Sequence, residues 1–545
     1  MHWKNLKHNG VAFPPPYEVK GLSVKINGEV ISLKPLAEEM AWALCKKIGT
    51  VYVDDNVFIR NFLFDFFRQI LNTDKEIKVS ILSKTFDEKQ ARIHFHYALD
   101  EIKKDVVIDF DRIYLIQLKE KEALERLRQD PEKRKALTAE RKIKREELKE
   151  QYGYAWVDGV QTEIASYVAE PAGVFMGRGQ HPLRGRWKPE VKAEEVTLNL
   201  GEEAPVPEGN WKEIVHNHDA TWLAMWKEKL TGKTKYVWLS DVSELKQKRD
   251  KSKYDNAATV GPKMEKVRNH ILKGMKARDE KRRKIAMTCY LIDKLAMRVG
   301  DEKDQDEADT VGASTLRVEH ITINQDRIVF DFIGKDFVQW HKELPVKEIP
   351  PEFLENLKIF VEGKNKKDLV FDGINSSRVN KFLQEAVPHL SAKVFRTFHA
   401  TKIVNDYLKK HDAFKEEDSN EVKLFHARMA NLKAAVECNH KRTVPKTWRQ
   451  TLQKKKDRLK ELKKKIPKTE KQKLKLLERI EKMKLQINLQ EHTKEYNLNT
   501  SLKNYVDPRI FTAWAKYVGL DWTKIYPKTM QKKFIWTTKA KKKWK

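Results

Sequence analysis

A chain of 545 residues with 40% hydrophobic residues is too long for one hydrophobic core and rich enough for several, so multiple domains or subdomains are expected. Its 109 Lys and Arg against 79 Asp and Glu leave a formal net charge of +30, an excess that calls for a polyanionic partner, nucleic acid ahead of an anionic membrane surface. Cys45, Cys289 and Cys438 are far apart and form no CxxC pair, which argues against a disulfide framework or a zinc knuckle and for a reducing compartment. The first residues, MHWKN, contain no apolar stretch of a secretory signal. No apolar run approaches the ~20 residues that cross a bilayer, so the membrane reading loses its weight.

In chain order, residues 1–20 read as irregular around Pro14-Pro15-Pro16, and from about 22 to 115 short apolar runs alternate with helical ones. Phe62 to Ile70 predicts a buried helix. Residues 117–150, dense in Glu, Lys and Arg with sparse Leu, predict a long solvated helix joining two bodies. Residues 155–240, with their Gly, Pro and β-branched residues, read as short strands and loops. A helical block follows from about 260 to 300. Arg327 to Ile333 alternates like a strand, Gly334-Lys335-Asp336 can turn the chain, and Phe337 to Trp340 can return it as a β-hairpin. Residues 351–440 read as mostly helical. Over 447–494 the apolar series Leu452, Leu459, Leu462, Ile466 and then Leu476, Ile480, Met483, Ile487, divided by Pro467, predicts an antiparallel coiled-coil hairpin. Residues 495–545 regain aromatics (Tyr505, Trp514, Trp522, Trp536) and read as a small helical domain.

Several chemistries are excluded by their missing residues. Gly232-Lys233-Thr234 is no phosphate loop, because Lys227 stands where the first glycine is needed. No HExxH or Cys/His cluster calls for a catalytic metal. The acidic run 301–309 lacks the glycine and terminal Glu of a calcium loop and reads as a solvated loop. His320, His399 and His492 read as structural. What remains is a dispersed set: Arg298 before Gly300, Lys335 at the hairpin tip, Arg396, His440 and Tyr505. Pattern alone does not select these five from 109 basic residues and the other tyrosines.

Their surroundings do. LAMRVGDEKD (295–304), FIGKDFVQW (332–340), AKVFRTFHA (392–400), CNHKR (438–442) and LKNYVDPR (502–509) closely resemble, in order, the catalytic motifs of eukaryotic-type DNA topoisomerase IB. WKNLKHNGVAFPPPYE (3–18), GRGQHP (177–182) and ADTVGASTLRVEHI (308–321) extend the resemblance over essentially the whole chain. The resemblance implies an α+β multidomain fold: a two-lobed DNA clamp with a mixed α/β cap, a mostly helical catalytic lobe, a coiled-coil linker and a small helical C-terminal domain. The implied divisions are 1–243 (cap lobe about 18–115), 244–443, 444–494 and 495–545. The implied activity is relaxation of positive and negative supercoils, without ATP, metal or other cofactor, through a 3′-phosphotyrosine at Tyr505, rotation of the downstream duplex, and religation.

Phosphodiester attack builds negative charge on the non-bridging oxygens. Guanidinium forks suit that charge, so the implied roles of Arg298 and Arg396 as clamps agree with elementary chemistry. His440 is the implied third donor and Lys335 the implied general acid for the departing 5′-oxygen. The implied DNA contacts are Arg178, Trp222, Lys235, Tyr236, Lys253, Lys303, Thr310 and Lys393. The implied drug contacts, for camptothecin-like poisons, are Arg178, Asp336 and Asn504. The resemblance implies double-stranded DNA as the partner, with no membrane, and a monomer clamped around it. The match starts at residue 3 without the family's long charged tail and ends in KAKKKWK; on this ground we expect an archaeal, nucleoid-associated member, with the nucleus as the location in a eukaryote. Two rivals are a tyrosine recombinase, whose usual His-x-x-Arg is Lys393-x-x-Arg396 here, and a non-enzymatic DNA-packaging protein.

Overall fold

The computed structural model describes residues 2–72, 79–87, 92–99, 104–301, 310–411, 418–540 and Trp544, with backbone alone over 79–105 and at Asp336. The chain divides into two compact units, the first built on Met1–Lys246 and the second on Gln247–Lys303 and Asp309–Lys545.

The first unit has two apolar cores. One lies under the helices Pro35–Cys45, Asn56–Leu71 and Asp111–Gln129 and the strand Lys104–Asp109. The helix Asn56–Leu71 begins where the Asp55 carboxylate accepts the Val57 and Phe58 amides, the usual satisfaction of orphan donors at a helix start. It buries Phe58, Ile59, Phe62, Leu63, Phe66 and Phe67, an i, i+3/i+4 stripe that is wider than the expected Phe62–Ile70. The second core gathers Leu6, Ala155, Leu198, Ala224 and Val237 from short strands, as the turn-rich composition of 155–240 predicts. Residues 1–20 are less irregular than expected: Leu6–His8 is a strand paired antiparallel with Tyr154–Val157. The expected single helix over 117–150 is two, Asp111–Gln129 and Pro131–Tyr152. Asp130 is extended and its carboxylate caps Glu132 and Lys133, with Pro131 at the first helical position, where its missing amide costs nothing. Among the described residues no helix is long and apolar enough to cross a membrane, and Cys45, Cys289 and Cys438 are buried free thiols.

The second unit is mainly helical. Its large core is built from Met264–Met275, Glu280–Leu295, Pro351–Val361, Ser376–Ala386 and the inner face of a three-stranded sheet. The predicted hairpin is present as Arg327–Gly334 paired with Val338–Pro345, with Gly334 opposite Val338. Ile328, Phe330 and Phe332 point inward, as period-two alternation requires. Phe337 does not start the return strand; it ends the turn Lys335–Phe337 with φ 58°. The linker forms two helices, Trp448–Lys464 and Glu470–His492, joined antiparallel by Lys456–Glu491 at 2.7 Å and by Trp448 Nε1 donating to the Gln490 carbonyl at 3.4 Å. Leu452, Leu462 and Ile487 are buried in the seam, but Ile466 is not part of it: it lies past the end of its helix and is 91% exposed.

Among the described residues, the core of the C-terminal segment is a shared one. Leu502, Val506, Ile510, Phe511, Trp514 and Trp544 share one with Ala400, Val404 and Leu408 of helix Ala392–Lys410 and with Ala427, Ala430 and Ala434 of helix Asn420–Glu437. Of the expected solvated acidic loop, 302–309 lies outside the described residues. His399 bonds the Asp293 carboxylate at 2.8 Å, His320 Nδ1 accepts the Arg317 amide at 3.0 Å, and His492 Nδ1 lies 2.8 Å from the Asn488 carbonyl.

Candidate active site

The helix Glu280–Leu295 stops at Ala296, which is left-handed with φ 51°. The chain beyond it, Met297 to Gly300, is irregular, with Gly300 left-handed at φ 81°, and is held by a second segment. The Ala313 amide donates to the Arg298 carbonyl at 2.9 Å and the Ser314 amide to the Val299 carbonyl at 2.7 Å. Backbone meets backbone here: a Cβ on Gly312 would lie 2.5 Å from Gly300 Cα and 2.9 Å from the Arg298 oxygen. Two glycines are therefore required for the RVG and VGAS stretches to zip together. One residue earlier, the Val311 amide donates to Ile333 at 2.8 Å, which ties this pair to the Lys335 hairpin.

Arg396, 5% exposed, rises from the helix Ala392–Lys410. Its Nη1 donates to the Ala296 carbonyl at 2.6 Å and its Nη2 to the Cys438 carbonyl at 2.8 Å. Nη2 also lies 3.3 Å from His440 Nε2. A guanidinium only donates, so Nε2 accepts and the imidazole is neutral with its proton on Nδ1. Burial, then the charges of Arg396 and Arg298, lower the His440 pKa to about 3. His440 Nδ1 and Arg396 Nε are both buried without a hydrogen-bond partner.

These groups surround one phenol. Tyr505 follows the short helix Leu498–Asn504. Arg298 Nη1 donates to its hydroxyl at 3.2 Å, the Arg396 guanidinium lies 4.9 Å from the ring centroid, and the His440 ring lies 5.1 Å away. Lys253 Nζ donates to the Asn504 carbonyl at 3.2 Å and to Asp250 at 3.1 Å. Burial lowers the Lys253 pKa, against the pull of Asp250. A cleft of about 880 Å³ opens here, lined by Tyr505, Arg298, Arg396 and Lys335 and by Lys253, Thr310, Lys393 and Asn504. Four of the five expected catalytic groups thus line one cleft and the fifth, His440, touches two of them. The arrangement puts an Arg298 donor on the oxygen of a tyrosine and the Arg396 cation against its ring, which is what an oxyanion forming beside that oxygen requires.

Comparison with known proteins decides the family. Residues 1–239 match the description "Eukaryotic DNA topoisomerase I, DNA binding fragment", 242–473 "Eukaryotic DNA topoisomerase I, catalytic core", and 477–545 "C-terminal topoisomerase domain". DNA topoisomerase 1 of Chlorocebus aethiops is 34% identical over 98% of this chain and 70% of its own length; that of Homo sapiens is 33% identical over 98% and 71%. DNA topoisomerase 1 alpha of Arabidopsis thaliana is 36% identical over 98% of this chain and 58% of its own length. The chain belongs to the eukaryotic DNA topoisomerase I family. It is a type IB DNA topoisomerase, an isomerase that acts on DNA.

The remaining expected contacts of this topoisomerase distribute over both units. Arg178, Trp222, Lys235 and Tyr236 belong to the first. There Tyr236 stands between Trp222 and Trp238 with ring centroids 6.2 and 5.2 Å away, and Lys235 lies 3.7 Å from Glu170 and 3.8 Å from Glu228. Asp336 lies in the hairpin turn, and Lys303 lies outside the described residues. Reasoning from sequence missed two groups. Arg249, Ser252 and Asn256 line the cleft together with Lys253; their spacing, one face of a helix over two turns, was the available signal. Thr401 and Asn431 bond the backbone around Tyr505 and Ser501 donates to Asn431, and nothing in their local sequence marks them.

Proposed function

We propose that Tyr505 is the nucleophile of this topoisomerase and that Arg298, Arg396, His440 and Lys335 complete its catalytic set. The phenolic oxygen gives up its proton to solvent and attacks the scissile phosphorus, forming a 3′-phosphotyrosine while the bond to the 5′-oxygen breaks. Lys335 gives that oxygen its proton, and the freed strand rotates until the 5′-hydroxyl attacks in reverse. The bond energy is kept in the phosphotyrosine, so relaxation runs without ATP, and the fixed cations take the charge-neutralising role that a metal ion would otherwise have.

The observation that carries this reading is the pair of buried, unpartnered donors, Arg396 Nε and His440 Nδ1, beside the phenol. An unsatisfied buried donor costs about 1–3 kcal/mol. The groups that carry them lie against the Tyr505 ring, and the non-bridging oxygens of a phosphodiester in attack would satisfy such donors. Tyr505→Phe removes only the oxygen. It is expected to bind DNA normally, to leave plasmid supercoils intact, and to yield no detergent-stable protein–DNA adduct; a relaxing Phe variant would refute the assignment.

The wider reading is a monomeric two-lobed clamp around duplex DNA, with 1–243 as its DNA-binding clamp and cap region, 244–443 as its catalytic lobe, 444–494 as linker and 495–545 completing the site. It works on the chromosome, in the nucleoid of an archaeon or the nucleus of a eukaryote. Most contacts fall on phosphates, so affinity drops steeply with salt. Arg178, Asp336 and Asn504 make it sensitive to camptothecin-like poisons, read as more nicked plasmid with drug.

A further inference from the structure

The segment that carries Tyr505 has little holding it by its own means. Leu498–Asn504 is a helix of 7 residues, too short to be stable through its own hydrogen bonds, and the tyrosine lies beyond its C-terminal end. The reacting oxygen must still meet Arg298 and Arg396 within a fraction of an ångström, so the precision comes from outside the helix.

It comes from two side chains on the neighbouring helices. Thr401 lies on the same helix as Arg396. Its hydroxyl donates to the Tyr505 carbonyl at 3.3 Å and accepts the Asp507 amide at 3.0 Å. One oxygen therefore grips the backbone on both sides of Val506. Asn431, 3% exposed, lies on the helix that leads to His440. It accepts from Ser501 Oγ at 2.8 Å and donates to the Leu498 carbonyl at 2.9 Å. Ser501 is itself fully buried, and its carbonyl accepts the Tyr505 amide at 3.0 Å. The Asn497 amide, at the start of the short helix, donates to the His440 carbonyl at 2.8 Å. The two anchoring helices are the ones that deliver Arg396 and His440, so the bonds fix the phenol relative to those groups rather than to the fold at large.

We propose that Thr401, with Asn431 behind it, is a positioning residue for strand cleavage: it sets the Tyr505 oxygen against the Arg298, Arg396 and His440 donors by clamping the backbone from Tyr505 to Asp507. Neither side chain touches the phenol, so each acts through the main chain. The inference rests on Tyr505 as the nucleophile.

Thr401→Val keeps the shape and removes both hydrogen bonds. Displacements near 1 Å in a reacting pair cost on the order of 10²-fold in rate, so single-turnover cleavage of a duplex oligonucleotide at saturating enzyme is expected to fall by about 10- to 100-fold. Affinity for uncleaved DNA, measured on the same protein, is expected to stay at the wild-type value. Thr401→Ser keeps the hydroxyl and is expected to restore the rate. A Val variant that cleaves at the wild-type rate, a Ser variant as slow as Val, or a loss confined to DNA affinity overturns the proposal. Should Thr401→Val not fold, Ser501→Ala, which deletes one buried oxygen from the Asn431 bridge, is expected to show the same loss of rate at unchanged affinity, and a wild-type rate there overturns it. Tyr505→Phe measured in parallel separates the two levels: adduct formation by that variant refutes the nucleophile itself, whereas an inactive Tyr505→Phe beside a normal Thr401→Val refutes only the positioning role.

Discussion

His440 makes the enzyme's stability depend on pH in a direction that can be worked out. In the folded state its pKa falls from 6.5 to about 3, first because the ring is buried and then because Arg396 and Arg298 face it. In the unfolded chain the ring takes up a proton near its ordinary value. Above pH 6.5 both states are neutral and nothing is lost. Below it the unfolded state binds a proton that the native ring refuses, so stability falls as pH falls, down to the folded value near 3. One pH unit corresponds to roughly 1.4 kcal/mol, so the loss between pH 7 and pH 5 is about 2 kcal/mol, or about 2–4 °C in melting temperature for a unit of this size. His440→Gln cannot be protonated and is expected to lack this component. The assay is thermal or denaturant unfolding of both proteins at pH 7 and pH 5. The difference between the two pH-induced losses isolates His440, because other groups cancel, including His8, which burial lowers to about 4. Equal losses in wild type and variant would refute a neutral, proton-refusing His440, and with it the argument that Nδ1 is a donor at neutral pH.

Three further outcomes test other parts of the site. Lys335→Ala is expected to slow cleavage of ordinary DNA strongly, yet to match wild type on a substrate with sulfur at the 5′-bridging position, since a thiolate leaves without a proton; equal defects on both would make Lys335 a purely electrostatic contact. Arg298→Lys keeps the charge but replaces the planar fork that meets the phenol, and cleavage is expected to fall roughly 10²-fold, read by single-turnover kinetics at unchanged DNA affinity. Gly312→Ala forces a methyl against the Gly300 backbone and is expected to cost about 1–3 kcal/mol by overpacking, whereas Gly173→Ala, which meets nothing within 4 Å, is the neutral control; equal melting temperatures would remove the steric argument.

The legible part of this protein is the part written in periodic or contiguous signals. The hairpin at 327–345 could be read from Ile328, Phe330 and Phe332 alternating with less buried neighbours, and the linker from its leucine seam up to Leu462. Ile466 was misread because hydrophobic spacing continues past the point where the chain leaves the helix. The break at Asp130–Pro131 was stated plainly by an N-cap followed by proline and was overridden by the surrounding charge pattern. The site itself is assembled from five stretches separated by up to 207 residues, so no local rule could join Arg298 to Tyr505; only the resemblance of whole motifs did. Thr401 and Asn431 stayed invisible because they act on backbone atoms, which any sequence supplies.

The core shared by the helices Ala392–Lys410 and Asn420–Glu437 with the segment from Leu502 to Trp544 bears on how the protein is made. While the ribosome is translating the linker, the alanine-lined faces around Val404 and Ala430 have nothing to cover them. About 110 residues separate Ala434 from Trp544, the last buried ring, and at about 5–20 residues per second those faces wait on the order of ten seconds. A chain still in the linker therefore already carries most of its basic residues but not Tyr505, the nucleophile proposed above. The segment that closes this greasy seam is the same one that brings Tyr505 to Arg298 and Arg396.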